Sequence, residues 1–526
     1  MPRPLPLRGL AREALRGCTR EAVRGVAREA LWGVVREAFR GLARDGAPRW
    51  RRTAGVFTSV TALAATCLMP GPALAVPRLA SCALTRTDAH HSEGVDTWNS
   101  SYVRPNHPLD AVLVFLSFPD SAPRTTPAEL TSDYFPATSQ FFERASYGKF
   151  TVRPHPQRDW IRMPHTSTSY AIQRDWNAEH RAAYLRDALT AADKQVDFSR
   201  YDIVYFVADP DAPGVDSDAT KVVNLDTPLR ADGKDIRRVV TVFEKHPPDR
   251  LVLAHETGHV FDLPDLYHRP SDSKGDWDTY VGDWDLMGSQ FGLAPDLFGW
   301  HKWKLGWLEP RQVACVRGAG TTRLTLEPLG AGPGEGGSGS GAAGAEASGA
   351  GASGSRARSY GSSGSYGAHG SSSGPGVSSG SGGSDGTSVR SYDSGVSDVA
   401  GGVRSYGSGA QAFGSGRGTK LAVVRTGPDS VLAFEARGPA GNDDSMCAQG
   451  ILVYRVRSET ESGGGPIEVL DAHPHSESCW EDSVYPALAD APVALGESYT
   501  VPGEQVRIEV EDRTASGAWT VKITTG

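Results

Sequence analysis

Between residues 331 and 418 the chain carries 28 Gly and 23 Ser, 51 of 88 positions. Such a stretch holds too few apolar side chains to offset the entropy lost on ordering it, so it is expected to stay disordered. Whatever folds must therefore be built from one block before it and one after. Arg-Ser-Tyr recurs inside it at 358–360, 390–392 and 404–406. Its flanks argue against a plain linker, because Thr322 to Leu326 and Leu421 to Arg425 both read as strands. The expectation is a long insertion at a hairpin tip, which the slow growth of loop-closure entropy permits.

The first block alternates strand and helix patterns. Residues 111–118 (AVLVFLSF) and Tyr201 to Ala208 are continuous apolar runs, as strands buried on both faces require. Residues 133–145 and 178–194 read as helices, and Phe150 to Pro154 as a strand. This is an α/β layer arrangement. The second block shows strands at Lys420–Arg425, Val431–Ala436, Ile451–Val456, Ile467–Asp471, Val506–Val510 and Trp519–Ile523, with no helix pattern. An antiparallel β-sandwich, or a pair of small β units, is the natural expectation. The whole is thus α+β, with an α/β domain over 76–310 and a β-rich domain over 311–526 that 331–418 interrupts.

Charge is distributed unevenly. The total is -8, but residues 1–52 carry thirteen Arg against five acids, and 53–75 carry no charge, so the remainder carries -16. A body that acidic is a poor partner for nucleic acid or anionic lipid. Arg49, Arg51 and Arg52, the apolar stretch from Ala54 to Met69 and Ala73-Leu74-Ala75 form the three parts of a secretory signal over 49–75. Leu79-Ala80-Ser81-Cys82 resembles a lipidation site, but Pro77 and Arg78 interrupt the apolar run it needs. Residues 1–48 repeat an octad such as RGLAREAL. Eight residues turn a helix by 800°, so no fixed apolar stripe results. They read as an upstream extension, with the true start nearer residue 49. After the signal no apolar run approaches a membrane span.

Four cysteines remain beyond the signal: Cys82, Cys315, Cys447 and Cys479. An even number in an exported chain points to two disulfides. The pairs expected are Cys82 with Cys315 and Cys447 with Cys479, the second being close in sequence. A rival role for Cys82, as a thiolate capping a metal, would leave an odd cysteine.

The residues richest in chemistry are Leu251 to Asp265, LVLAHETGHVFDLPD. His255 and His259 are four apart, so on a helix they share a face and can hold one Zn²⁺. Glu256 projects beside them as a base. Pro264 disfavours the α region at Leu263, so the helix should end near Phe261 or Asp262. Asp262 is the candidate left-handed residue. The chain then doubles back, and Asp265 becomes the expected third metal ligand, with Asp262 or a later acid as the alternative. Downstream, Gly282-Asp283-Trp284-Asp285-Leu286-Met287-Gly288 places a Met in a tight turn.

Taken together, VFLSFPD (114–120), SYGK (146–149), HETGHVFDLPDLY (255–267), WDLMG (284–288) and WHKWKLGWL (300–308) resemble the immune inhibitor A family of exported metallopeptidases. Weaker similarity runs through FEAR (434–437) and GILVYRV (450–456). The resemblance implies a metzincin-like catalytic domain with a Met-turn under the metal. It also implies a zinc-dependent endopeptidase acting on extracellular proteins, with His255 and His259 as ligands and Glu256 as the catalytic base. This chain departs from the family at Asp262, where Gly is usual, and has only about thirty residues between Ala75 and the first strand. The expected cofactor is Zn²⁺. Ca²⁺ is a secondary expectation, at Asp209, Asp211, Asp216 and Asp218 or among the acids from Asp272 to Asp285. Tyr267, His268 and Tyr280 are the candidates for oxyanion stabilisation. The expected partners are protein or peptide substrates, met by a monomer. The rival reading is a non-catalytic extracellular binding protein with a structural zinc, and a second rival is a hydrolase of something other than protein.

Overall fold

The computed structural model describes residues 82–89, 93–248, 251–269, 276–290, 296–332, 418–476, 478–479, 483, 485–515 and 517–526. The octad extension, the signal, most of the lipidation-like motif and residues 333–417 of the Gly/Ser tract lie outside the described residues. The architecture is mixed α/β, with three sheets and few helices among the described residues. None of those helices is long and apolar enough to cross a membrane.

The first sheet contains β1 (Leu109–Ser117), β2 (Val152–Pro156), β3 (Ile161–Arg162), β4 (Ile203–Ala208), β5 (Lys221–Ala231) and β6 (Lys234–Val242). Its order is β2-β1-β4-β6-β5, with β3 also paired to β1. All neighbours run parallel except β5, which returns antiparallel on β6. The continuous apolar run of β1 follows from burial on both faces. Ala111, Leu113 and Phe115 enter one core, and Val112, Val114 and Leu116 enter another. The second core is closed by α3 (Ala178–Ala192) through Tyr184, Leu185 and Ala188. The first is closed by α1 (Pro127–Tyr134), α2 (Ala137–Ala145) and α4 (Val252–Val260). The single helix expected over 133–145 is two. Thr126 and Glu129 form a capping box that starts α1, and Pro136 stands at the N-cap of α2.

The β-rich block forms two sheets. One has the order β12-β11-β10-β9-β7, from β7 (Val313–Val316), β9 (Leu421–Arg425), β10 (Ser430–Arg437), β11 (Gly450–Arg457) and β12 (Ile467–Val469). The other has the order β13-β14-β15-β8, from β8 (Gly320–Leu326), β13 (Ser498–Thr500), β14 (Val506–Arg513) and β15 (Trp519–Thr525). Leu432, Phe434 and Val453 of the first meet Ile508, Val521 and Ile523 of the second in one buried cluster. That is a sandwich, but not a wholly antiparallel one, because β7 runs parallel to β9.

The opposite face of the five-stranded sheet, through Val431, Ala433 and Tyr454, joins the same core as α4. Between them lies α5 (Gly299–Leu305), which contributes Trp300 and Leu305. The described residues up to Ala331 and from Gly418 onward accordingly group as one compact unit.

The hairpin expected around the Gly/Ser tract is not formed. β8 pairs with β15, whereas β9 pairs with β7 and β10, so the tract leaves one sheet and enters the other. Its two ends are nonetheless fastened together. The Glu327 N–H donates to the Thr419 carbonyl at 2.8 Å, and Lys420 Nζ donates to the carbonyls of Pro328 and Ala331 at 2.7 and 2.9 Å. Both expected disulfides are present, Cys82–Cys315 and Cys447–Cys479.

Candidate metal centre

Every residue of α4 is buried, including His255, Glu256 and His259. The helix is anchored to the sheet by the Thr257 hydroxyl, 2.8 Å from Tyr205 Oη on β4. It ends as a Schellman motif. The Leu263 N–H donates to the Gly258 carbonyl and the Asp262 N–H to the His259 carbonyl, with Asp262 at φ 66°. The left-handed position expected at Asp262 is therefore present, and the chain doubles back as Pro264 implied. Asp265 then faces the helix, with Oδ1 3.1 Å from His259 Nε2 and 3.4 Å from His255 Nε2. Among the described residues, His255, His259 and Asp265 form the group able to hold a metal ion, with ligand atoms all within 4.8 Å of one another.

The tautomer of each imidazole is set by its other nitrogen. His255 Nδ1 lies 2.9 Å from the Leu286 carbonyl and His259 Nδ1 2.7 Å from the Leu263 carbonyl. A carbonyl only accepts, so each Nδ1 carries the hydrogen and each Nε2 presents a lone pair. Asp265 Oδ1, buried and without a hydrogen-bond partner, faces the same point. Three electron-rich atoms thus converge, a cost that a proton or a cation relieves. The ionisation behaviour reflects this. Burial opposes a charge on His259, but the Asp265 carboxylate outweighs it and pushes the imidazole up to about 10. Burial also opposes ionisation of Asp265, yet the facing imidazoles hold its carboxyl well below the usual range. Two neutral imidazoles and one carboxylate suit Zn²⁺, and three protein ligands leave a fourth position open.

Glu256 sits beside this point with Oε2 accepting the Val222 N–H at 2.7 Å. Burial raises its pKa, while His259 and His255 pull it down.

Tyr267 lines the same cleft, its ring stacked on His255 at 6.3 Å, and burial raises its hydroxyl far above the ordinary value. His268 and Tyr280 pack on each other at 5.2 Å and do not line the cleft. Met287 lies under the helix: a Cβ placed on Gly258 would stand 2.5 Å from its Sδ. Asp209, Asp211 and Asp216 accept hydrogen bonds from nearby N–H and O–H groups, at Ser121 and Asp211, Arg124, and Asp218 respectively. Asp272, in the second calcium candidate, is outside the described residues.

Asp262 is not beside the metal point. Its Oδ2 lies 2.8 Å from Lys304 Nζ of α5 in a buried ion pair, and Lys304 also donates to the Asp262 carbonyl. Burial raises the Asp262 carboxyl to about 6 against the pull of Lys304.

The sequence reading also missed several supports from the β-rich block. The Asp265 N–H donates to Ser462 Oγ at 2.9 Å, and the Asp265 carbonyl accepts from the Gly463 N–H at 3.0 Å. Arg437 Nη1 donates to the Trp284 carbonyl, beside the turn that orients His255. These partners lie between about 150 and 200 residues away in the chain, and no local spacing marks them.

Compared with known families and with curated proteins, the chain matches no family model and no curated sequence.

Proposed function

We propose that this chain is an exported zinc-dependent endopeptidase of the immune inhibitor A kind, hydrolysing peptide bonds of extracellular proteins. The observation that carries the reading is the meeting of two Nε2 lone pairs and a buried Asp265 oxygen, with Glu256 next to them in an open cleft. His255, His259 and Asp265 would hold the ion, and when bound it supplies Lewis acidity that polarises a carbonyl and acidifies water. Glu256 has one oxygen occupied by the Val222 N–H, leaving the other to take a proton from the attacking water. Its raised pKa lets it hold that proton and return it to the leaving amine. The Tyr267 hydroxyl, kept protonated by burial and hydrogen-bonded to Asp265, lines this cleft and would be the donor that stabilises the developing oxyanion.

The test is hydrolysis of casein by the purified protein with and without a chelator, in wild type and Glu256→Gln. Wild type should cleave and lose activity on chelation. Glu256→Gln should keep its zinc and fall by about 10²–10⁴-fold, the usual worth of a general base. Zinc binding with no hydrolysis of any protein would support the non-catalytic reading instead.

A further inference from the structure

The cleft beside the metal point has a volume of about 290 Å³. Its acids are largely engaged. Glu256 and Asp265 belong to the centre itself, and Glu93 accepts from the Tyr102 hydroxyl and the Asn224 amide. Its cations are not so matched. Lys221, at the start of β5, is half-buried, and its Nζ donates to the Arg174 carbonyl at 2.6 Å. Among the described residues no carboxylate lies within 4.0 Å of its ammonium or of the Arg174 guanidinium. Burial, then Arg181 and Arg269, hold Lys221 below the usual lysine value. Arg174 lies over the Trp277 ring at 4.5 Å. Arg269 reaches Asp175 at 3.4 Å, but Asp175 is 85% exposed, so solvent screens that pair. Asp218, also on the wall, is exposed and pairs with none of these cations within 4.0 Å.

Among the described residues the half-buried Lys221 ammonium and the two exposed guanidiniums share one wall with no carboxylate within 4.0 Å except the exposed Asp175, so they repel one another and an anion set among them lowers that cost. General basicity does not account for them, because the chain beyond residue 75 carries a net -16. Guanidinium and ammonium groups together match a carboxylate in both charge and hydrogen-bond geometry.

Building on the peptidase reading, we infer that Lys221, Arg174 and Arg269 form a subsite for a carboxylate of the peptide being cut. The favoured substrates then carry Asp or Glu, or a free C-terminal carboxylate, on that side of the scissile bond.

Quenched fluorescent peptides of one sequence test this, with Glu, Gln or Lys scanned through the positions flanking the cleaved bond, each with a free or an amidated C-terminus. At one position the Glu peptide should exceed the Gln peptide in kcat/KM by about tenfold to a hundredfold, as a charge-assisted contact implies. A preference for the free over the amidated terminus would identify the main-chain carboxylate as the group bound. Lys221→Gln should collapse the Glu-to-Gln ratio, and Lys221→Glu should turn the preference toward Lys. Arg269→Gln, at an exposed position, should lower the same ratio and guards against a folding defect at Lys221. Equal rates on all peptides, or an unchanged ratio in these variants, would overturn the carboxylate subsite while leaving the peptidase reading intact. No cleavage of any peptide by the zinc-loaded protein would overturn both.

Discussion

Two aspartates three residues apart do different work, and their surroundings separate them. Asp265 faces two imidazoles, whereas Asp262 faces Lys304. Asp265→Ala should lower zinc affinity by orders of magnitude. The left-handed φ of Asp262 alone would make Asp262→Gly harmless, because Gly adopts that conformation without strain. The buried pair reverses this expectation, since removing the carboxylate leaves the buried Lys304 ammonium without its ion-pair partner. Asp262→Gly should cost roughly 3–5 kcal/mol of stability while zinc still binds. Denaturant midpoints and bound zinc in the two variants check it; loss of metal from Asp262→Gly with retention in Asp265→Ala would exchange their roles.

At the scale of elements, α4 lies directly against the turn that carries Met287. A Cβ on Gly258 would stand 2.5 Å from the Met287 sulfur, closer than packed atoms allow. Gly258→Ala should therefore destabilise by about 1–3 kcal/mol, and Gly258→Ala with Met287→Ala should recover part of it. Thermal melts of the single and double variants measure the coupling, and strict additivity would show that the two elements do not press on each other. Where elements announced themselves in the sequence, burial on both faces was the reason, as in β1 and β4. The β5–β6 hairpin was missed because β5 is mostly half-exposed, contains Pro228, and shifts register between Asn224 and Leu229. The partners of β8 and β9 were misjudged because an apolar strand pattern says which face is buried and nothing about which strand lies alongside. His255, Glu256 and His259 were legible because a helix turns their spacing into geometry. Ser462, Lys304 and Arg437 come to Asp265, Asp262 and Trp284 only through the fold.

At the scale of the molecule, the junction between the α/β layer and the five-stranded sheet is ionic as well as apolar. Arg437 holds Asp443 through two hydrogen bonds of 2.7 and 2.8 Å and Glu435 at 3.1 Å, and Lys302 holds Asp296 at 2.8 Å. Three buried carboxylates against two cations leave one in excess, so burial retains a proton, and Glu435 is pushed up to about 7. Between its ordinary 4.5 and about 7 the folded chain then binds more protons than the unfolded chain. Stability from this group is greatest below that window and is lost as pH rises through it, by roughly 3 kcal/mol in all. Urea midpoints at pH 5, 6 and 7 should fall in wild type and fall less steeply in Glu435→Gln. Equal slopes would place the retained proton on another carboxyl.

Because Glu327, Thr419 and Lys420 fasten the point where the Gly/Ser tract leaves and the point where it returns, continuity of the chain there is dispensable to everything around it. Neither disulfide spans the tract: Cys82–Cys315 lies before it and Cys447–Cys479 after it. A protein cut once inside the tract, at a protease site engineered between residues 370 and 371, should still migrate as one species under native conditions. Under denaturing conditions it should separate into two pieces even without a reductant. The first piece would carry His255, Glu256, His259 and Asp265, and the second would carry Ser462 and Arg437. Each half alone would lack what the other provides, so hydrolysis recovered on mixing the two would report their reassembly.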